Sequence, residues 1–184
     1  MKTAYIIHCW GGSPNQFWYP WLKKKLEKEG FKVEVPKMPN TETPMIEEWV
    51  PFLKKLIKNP NKETYLIGHS VGCQTIMRYL ESLKENEKVR GVLFVAGWFT
   101  LKGLESKKSE DIARPWLETK IDIKKVKSKS KFVAIFSDDD PFVPIENQKL
   151  FETKLGAKTI MLKKQDHFGE KELKVAFDEL VKMK

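Results

Sequence analysis

Near the middle of the 184-residue chain stands the stretch Thr64-Tyr65-Leu66-Ile67-Gly68-His69-Ser70-Val71-Gly72. Its first half is apolar and aromatic, as in a buried strand, and the residues at 72–83 have the spacing of an amphipathic helix. Glycine has no side chain, so the glycines on both sides of Ser70 permit a very tight turn. The stretch therefore predicts a strand at 64–68, a sharp turn with Ser70 at its tip, and a helix at 72–83.

The turn itself, Gly68-His69-Ser70-Val71-Gly72, matches the pattern G-x-S-x-G. In the nucleophile elbow that bears this pattern, a strained strand-to-helix turn exposes a reactive serine. Three fixed positions arise by chance in roughly one chain of this size in twenty, so the setting between a strand and a helix is what makes the match informative. An ordinary glycine-rich turn with a helix-capping serine is the alternative. We predict that Ser70 is a nucleophile.

Outward from this stretch, short β-branched runs alternate with longer amphipathic stretches. The other predicted strands are 5–7, 31–35, 89–96, 132–136 and 159–162. The other predicted helices are 18–29, 43–57, 146–155 and 171–182. This alternation predicts an α/β fold, in which a mostly parallel sheet of about six strands carries helices on both faces. A chain of this length suits one domain, 1–184.

Three segments carry features that modify the pattern. Gly30 follows the first helix and is expected to end it. Pro51 lacks a backbone N–H and is expected to bend or divide the second helix. The connection 97–131 is long, contains Pro115 and is predicted to hold only short helices. Connections of this length often serve as binding loops or lids.

The chain carries a formal net charge of +9. Most lysines are interleaved with glutamates, as on solvated helix faces, and no nucleic-acid motif accompanies them, so we expect no nucleic-acid partner. No apolar run approaches the roughly 18 residues of a membrane span, and the first residues are too briefly apolar for a secretory signal. We therefore expect a cytoplasmic protein with no membrane partner. A protein partner is possible, but no feature of the sequence indicates one.

Two cysteines, Cys9 and Cys73, are too few for a disulfide scaffold and are expected to be free thiols. The three histidines and two cysteines do not have the spacing of a zinc site. The sequence therefore predicts no metal and no cofactor.

A serine hydroxyl is a weak nucleophile and needs a general base. Enzymes with this serine turn place the serine, the acid and the histidine in that order along the chain. Only His167, after the last predicted strand, satisfies this order, and a loop histidine without a role is the alternative. His8 ends the first strand, and the side chain of His69 is expected to point away from the position of the base.

The acid is expected just after the strand 132–136, where Asp138, Asp139 and Asp140 are consecutive. A solvated turn or a weak cation site is the alternative. Pro141 restricts the backbone of Asp140 to extended conformations and so directs its side chain. The other two aspartates are expected to bind turn amides or to remain solvated. We predict a catalytic triad of Ser70, Asp140 and His167.

Two main-chain amides should stabilise the oxyanion of such a reaction. The predicted donors are Val71, which follows the nucleophile, and Trp10, in the loop after the first strand. Bulky aromatic residues in the loops at the carboxyl ends of the strands predict an apolar substrate pocket, with packing in the core as the alternative; they are Trp10, Trp98, Phe99, Phe142 and Phe168.

Over nearly its whole length the chain resembles the small serine hydrolases of the retinoblastoma-binding protein nine and YdeN-like family. The resemblance rests on Gly68-His69-Ser70, Trp21-Leu22-Lys23-Lys24, Met38-Pro39, Trp49-Val50-Pro51-Phe52, Arg114-Pro115-Trp116, Asp139-Asp140-Pro141-Phe142-Val143-Pro144 and His167-Phe168. It implies an α/β-hydrolase core without a large cap domain and the same three catalytic residues. One departure is Cys9, because many relatives have glycine there; a side chain at this position is expected to narrow the oxyanion loop or alter its dihedral angles.

Two classes of function follow from these residues. The first is hydrolysis of small apolar acyl or aryl carboxylic esters through an acyl-enzyme; thioesters and amides would use the same residues. The second is a protein-interaction module on a hydrolase fold, with weak or no turnover. A fluorophosphonate probe discriminates between them, because it reacts only with an activated serine.

Overall fold

A parallel sheet of six strands forms the centre of the computed structural model, which describes residues 1–183. The strands are β1 (Thr3–Ile7), β2 (Lys32–Glu34), β3 (Thr64–His69), β4 (Gly91–Val95), β5 (Phe132–Ser137) and β6 (Lys158–Leu162). Their order is β2-β1-β3-β4-β5-β6, and each neighbouring pair is parallel. The expected α/β architecture with a mostly parallel sheet is confirmed.

Residues 1–183 contain seven helices. They are α1 (Tyr19–Lys28), α2 (Ile46–Leu56), α3 (Val71–Glu81), α4 (Lys107–Glu118), α5 (Ile123–Lys127), α6 (Glu146–Leu155) and α7 (Lys174–Lys182). Helices α1 and α7 pack together, while α3 contacts both α2 and α5, and α5 contacts α6. The first connection leads from β1 to one edge of the sheet, and the connections after β2 lead toward the opposite edge. Because crossovers between parallel strands are right-handed, this change places α1 and α7 on one face and α2, α3, α5 and α6 on the other.

The central strands are buried on both faces. All residues of β3, β4 and β5 are buried, which explains their almost continuous apolar sequences. Helix α3 is enclosed as well, since ten of its eleven residues, Val71 to Leu80, are buried. The turn before α3 therefore rests on the most tightly enclosed part of the molecule.

The parallel arrangement brings the carboxyl ends of the strands to one edge of the sheet. The loop that begins at His8, the turn at Ser70, and the segments that begin at Ala96, Asp138 and Lys163 all start at this edge. In parallel α/β sheets this edge is where ligands bind.

The connection between β4 and β5 differs from the prediction of short helices, because α4 has 12 residues. Pro115 lies within this helix and does not prevent it. A proline inside a helix removes one backbone donor, and here tertiary packing holds the flanking turns in place. Ala113 and Trp116 are the buried residues of α4, and the Ser106 side chain caps its first turn by accepting from the Ser109 amide. In the sequence, this capping serine was the signal that could have predicted the start of a helix.

The boundaries of the helices and strands confirm some local predictions and correct others. Helix α2 continues through Pro51 and is not divided there. Gly30 follows α1 with a φ of +81°, in the left-handed conformation expected after a helix. The ends of β4 and α7 differ from prediction by two or three residues, which is the usual scatter at termini. Within residues 1–183, no helix has the length and apolar character needed to cross a membrane.

Candidate active site

Ser70 occupies a strained turn between β3 and α3. Its φ of 53° and ψ of −118° lie in a region that residues other than glycine rarely adopt. The turn is held by hydrogen bonds from the Ser70 amide to the Val95 carbonyl and from the Cys73 amide to the Ser70 carbonyl, both 2.9 Å. A Cβ at Gly68 would lie 2.8 Å from the Cys73 nitrogen, and one at Gly72 would overlap a carbonyl oxygen of β1. Both glycines are therefore required for this geometry.

A cavity of about 240 Å³ opens beside Ser70 at the carboxyl edge of the sheet. Its walls are largely apolar and come from five separate segments of the chain. The lining residues are Cys9, Trp10, Ser70, Val71, Trp98, Leu101, Leu104, Glu105, Ser109, Phe142 and His167. Ser70 and His167, distant in sequence, thus share one cavity.

His167 is held by a buried carboxylate. Its Nδ1 lies 2.8 Å from Oδ2 of Asp140, whose side chain is almost fully buried. The other oxygen, Oδ1, accepts the amides of Phe142 and Val143, both at 2.9 Å. Pro141 has no amide to compete, so Oδ2 is left for the imidazole. Since a carboxylate accepts, Nδ1 carries the proton and Nε2 of neutral His167 is free to accept one.

The two preceding aspartates hold the loop that carries His167. Asp138 accepts the amide of Lys164 at 2.9 Å. Asp139 Oδ1 accepts the hydroxyl of Ser137 at 2.6 Å and the amide of Asp166 at 2.9 Å. The Ser137 hydrogen bond, followed by that from Asp166, lowers the pKa of Asp139. The turn amides that these aspartates bind therefore belong to the histidine loop.

The backbone of this loop is itself strained. Lys164, Asp166 and Phe168 have φ values of 53°, 47° and 60°, although none of them is glycine. Such residues each cost on the order of 1–3 kcal/mol and persist only where the surroundings determine them. The hydrogen bonds from Asp138 and Asp139 supply part of that constraint, which fixes the position of His167.

Among residues 9–12, which begin the loop after β1, one main-chain amide is free for a ligand. The amides of Gly11 and Gly12 donate to carbonyl oxygens of the protein, at 2.8 and 3.1 Å. The amide of Cys9 donates to the hydroxyl of Tyr19 at 3.2 Å. Trp10 is different, because its amide has no acceptor anywhere within residues 1–183.

The amide of Val71 is free as well. Val71 is the first residue of α3, so its N–H has no partner within the helix, and no other acceptor lies near it in the part of the chain that the structure describes. Val71 and Trp10 both line the cavity beside Ser70. Two residues with unpaired main-chain amides therefore line the same cavity as Ser70.

Known proteins resemble this chain over most of its length. The family model described as serine hydrolase matches residues 4–182. The chain belongs to the serine hydrolase family. It is 31% identical to the YdeN protein of Bacillus subtilis (strain 168) over 172 residues, 93% of this chain and 88% of YdeN. It is 30% identical to the serine hydrolase RBBP9 of Rattus norvegicus over 169 residues, 90% of this chain and 83% of RBBP9.

Solved structures place the fold of this serine hydrolase in the α/β-hydrolase class, as predicted. The crystal structure of the B. subtilis ydeN product matches with a TM-score of 0.89 at 28% identity, covering 100% of this chain and 98% of that one. Est1E from Butyrivibrio proteoclasticus, solved with ferulic acid bound, matches with a TM-score of 0.77 over 99% of this chain and 87% of Est1E. At 14% identity, the likeness to Est1E shows the fold alone.

Three of the five aromatic residues predicted for the pocket of this serine hydrolase line the cavity. They are Trp10, Trp98 and Phe142. The ring of Phe142 meets His167 edge to face, with centroids 5.2 Å apart. The indole of Trp10 donates to the Glu42 carbonyl at 3.1 Å, which fixes that side of the cavity.

The prediction was wrong for Phe99 and Phe168, neither of which lines the cavity. Phe99 packs on Phe151, with ring centroids 4.9 Å apart, whereas its neighbour Trp98 lines the cavity. Phe168 is fully buried in the core next to His167. For these two residues the alternative interpretation, core packing, is correct.

Sequence reasoning missed the part of the wall that comes from the β4–α4 connection. Leu101, Leu104, Glu105 and Ser109 line the cavity. The amide of Lys102 donates to the Phe142 carbonyl at 2.9 Å, which holds this segment against the loop after β5. No local pattern marks these residues, since their position depends on a contact with a loop some forty residues further along the chain.

Both cysteines of the enzyme are free and buried. Cys9 lines the cavity next to Trp10, whose amide is free. Cys73 lies behind Ser70 in α3 and is fully buried. Burial raises the pKa of both thiols, which disfavours the reactive thiolate at either position.

The ring of His69 lies beneath the His167 loop. Its centroid is 5.2 Å from that of His167, and its Nε2 lies 2.9 Å from the His167 carbonyl oxygen. On the other side, Nδ1 lies 2.6 Å from the hydroxyl of Tyr19. His69 is therefore not placed as a base for Ser70, but it contacts the main chain of the residue that is. Burial, followed by the proximity of His167, lowers the pKa of His69 well below its usual value.

This lowered pKa predicts acid sensitivity of the fold. We expect the free energy of unfolding to decrease as the pH falls below about 6.5, because the unfolded chain then binds a proton that buried His69 does not. Urea unfolding at about pH 5 and about pH 7.5 should show a smaller change for His69→Gln, which has no titrating ring. Burial also lowers the pKa of His8, so part of the effect remains in the variant. Equal pH dependence in the two proteins would contradict this prediction.

Proposed function

We propose that this serine hydrolase cleaves small carboxylic esters with an apolar acyl or aryl group, using Ser70 as nucleophile, His167 as general base and Asp140 to orient the base. The observation that carries the proposal is the 2.8 Å hydrogen bond between His167 and Asp140 at the wall of the cavity that also contains Ser70. It leaves Nε2 of His167 as the acceptor that a serine nucleophile requires.

The first half of the proposed reaction forms an acyl-enzyme. Nε2 of His167 takes the hydroxyl proton of Ser70 as Oγ bonds to the acyl carbon, and the carbonyl oxygen becomes an oxyanion. When the tetrahedral intermediate collapses, the bond to the alcohol oxygen breaks and the imidazolium donates its proton to that oxygen. A water molecule then attacks the acyl-enzyme with the same base, which releases the acid and restores Ser70.

The oxyanion is stabilised by preorganised donors. The unpaired amides of Trp10 and Val71 are the donors we assign, which supports the predicted oxyanion hole. Such donors are worth about 3–4 kcal/mol of transition-state stabilisation each in other enzymes. Val71 also begins α3, so the positive end of that helix dipole lies at the same place.

The cavity argues for a small substrate. Its volume of about 240 Å³ is below the roughly 300–1,000 Å³ of most small-molecule sites. Trp98, Leu101, Leu104 and Phe142 make its walls apolar, so a short acyl chain or a single ring suits it best. Est1E, which shares the fold, binds ferulic acid, and aryl esters therefore belong in the test. The proposed partner is accordingly a small-molecule ester, in a cytoplasmic setting.

The proposal is tested with a fluorophosphonate probe and a series of nitrophenyl esters from acetyl to decanoyl, together with aryl esters, thioesters and amides of matched acyl groups. We expect stoichiometric labelling of a serine and a decline of kcat/KM as the acyl chain outgrows the cavity. If the pure protein is neither labelled nor able to turn over any of these compounds, the interaction-module alternative replaces the proposal.

A further inference from the structure

A buried chain of hydrogen bonds joins three loops of the site. The amide of Cys9, in the loop after β1, lies 3.2 Å from the Tyr19 hydroxyl. That hydroxyl lies 2.6 Å from Nδ1 of His69, the residue before Ser70. Nε2 of His69 lies 2.9 Å from the carbonyl oxygen of His167. The two residues Tyr19 and His69, here called the Tyr–His link, thus connect the loop of the proposed oxyanion donor to the main chain of the proposed base.

The direction of each bond follows from the groups involved. A carbonyl oxygen can only accept, so Nε2 of His69 carries a proton and donates to His167. Neutral His69 then accepts at Nδ1, and the Tyr19 hydroxyl donates to it. The Tyr19 oxygen in turn accepts the amide of Cys9. Of the two neutral tautomers of His69, only the one with the proton on Nε2 satisfies all three bonds.

The Tyr–His link is enclosed by other residues of the protein. Tyr19 is fully buried and His69 almost so. The rings of Phe17 and Trp18 stand against His69, with centroids 6.0 and 5.6 Å away. Burial lowers the pKa of His69, which agrees with the neutral form. Within this enclosure, a lost hydrogen bond is not readily replaced by one to bulk solvent.

His167 needs support of this kind because its neighbours are strained. Asp166 and Phe168 on either side have positive φ values. Asp139 accepts the amide of Asp166 on one side, and His69 donates to the carbonyl of His167 itself. The main chain at His167 is thereby held at two points, one on each side of its Cα.

We propose that Tyr19 and His69 are positioning residues for the reaction: they set the place of the His167 imidazole relative to Ser70 through the His167 carbonyl. The inference rests on the proposed function. Displacement of a reacting group by about 1 Å can cost roughly a hundredfold in rate without loss of substrate binding. A positioning role therefore predicts a fall in kcat with KM nearly unchanged.

Two substitutions of His69 separate its two hydrogen bonds. Glutamine places an amide nitrogen near the position of Nε2 and can still donate to His167, whereas asparagine reaches only the position of Nδ1 and can serve Tyr19 alone. We expect His69→Asn to lower kcat by about a hundredfold, and His69→Gln to lower it by less than about tenfold, each with KM within about twofold. Tyr19→Phe, which removes the donor to Nδ1 of His69 and the acceptor of the Cys9 amide, should lower kcat by about tenfold.

Tyr79→Phe is the matched control for Tyr19→Phe. Tyr79 is another buried tyrosine, and its hydroxyl donates to the Ile57 carbonyl at 3.1 Å, away from the cavity. We expect this control to lose stability but to keep its kcat. Active-site titration with the fluorophosphonate probe gives the folded, reactive fraction of each variant, so that kcat is compared per competent site.

Imidazole ¹⁵N NMR gives a readout that does not depend on turnover. We expect His69 to show the Nε2–H tautomer in the native protein, and His69→Asn, but not His69→Gln, to shift the His167 resonances. The inference is overturned if kcat, KM and the His167 resonances are the same in His69→Asn as in the native protein while Ser70→Ala is inactive. If the native protein has no hydrolase activity, the proposed function fails, and unshifted His167 resonances in His69→Asn would then separately overturn the link.

Discussion

Ser70→Ala is expected to abolish both ester turnover and fluorophosphonate labelling while the fold is retained. Removing a triad nucleophile costs on the order of a millionfold in kcat in another serine hydrolase. The fold should tolerate the change because alanine is smaller than serine and accepts the φ of 53° no less well. The hydrogen bonds that hold the turn come from the Ser70 main chain and remain. Hydrolysis of the preferred ester and the circular dichroism spectrum measure the two effects.

Ser82→Ala is the matched control for this prediction. Ser82 follows the same helix, α3, and its hydroxyl donates to the Tyr79 carbonyl at the end remote from the cavity. We expect it to keep full activity and labelling. Probe labelling that persists in Ser70→Ala, above all on Cys9 at the cavity wall, would show that the nucleophile has been wrongly assigned.

Asp140→Asn is expected to lower turnover by roughly a thousandfold or more, as in other triads. The structure gives the reason. The amides of Phe142 and Val143 both need an acceptor, so the asparagine oxygen stays with them and its NH₂ group faces His167. That group donates to Nδ1 and forces the proton of His167 onto Nε2, which can then no longer accept the proton of Ser70.

Asp139→Asn is the matched comparison and is expected to lower turnover by less than about tenfold. The asparagine oxygen can still accept the Asp166 amide and the Ser137 hydroxyl, so the histidine loop keeps its support. Steady-state kinetics on both variants, together with the reactive fraction found by probe titration, checks the pair. An inactive Asp139→Asn beside an active Asp140→Asn would move the acid by one residue and leave the roles of Ser70 and His167 untouched.

Much of this molecule follows from local sequence. The pattern around Ser70 specifies a strand, a turn and a helix, because only glycine fits at 68 and 72. The alternation of strands and helices specifies a parallel sheet, and a parallel sheet brings the loops of its carboxyl ends together. His167 was selected by its order along the chain, and Pro141 favoured Asp140 among three consecutive aspartates. In the structure, Oδ2 of Asp140 lies 2.8 Å from Nδ1 of His167.

The tertiary structure alone decided which side chains face the cavity. Trp98 and Phe99 are adjacent and equally bulky, and only the packing of Phe151 against Phe99 separates them. Leu104, Glu105 and Ser109 reach the wall through helix α4 and its leading segment.

The place of His69 was decided in the same way. Its two partners, Tyr19 and His167, lie 50 residues before it and 98 residues after it. Local sequence determines backbone dihedral angles and the periodicity of burial. Contacts across such separations depend instead on how complete elements pack, so they become visible only when the chain is folded.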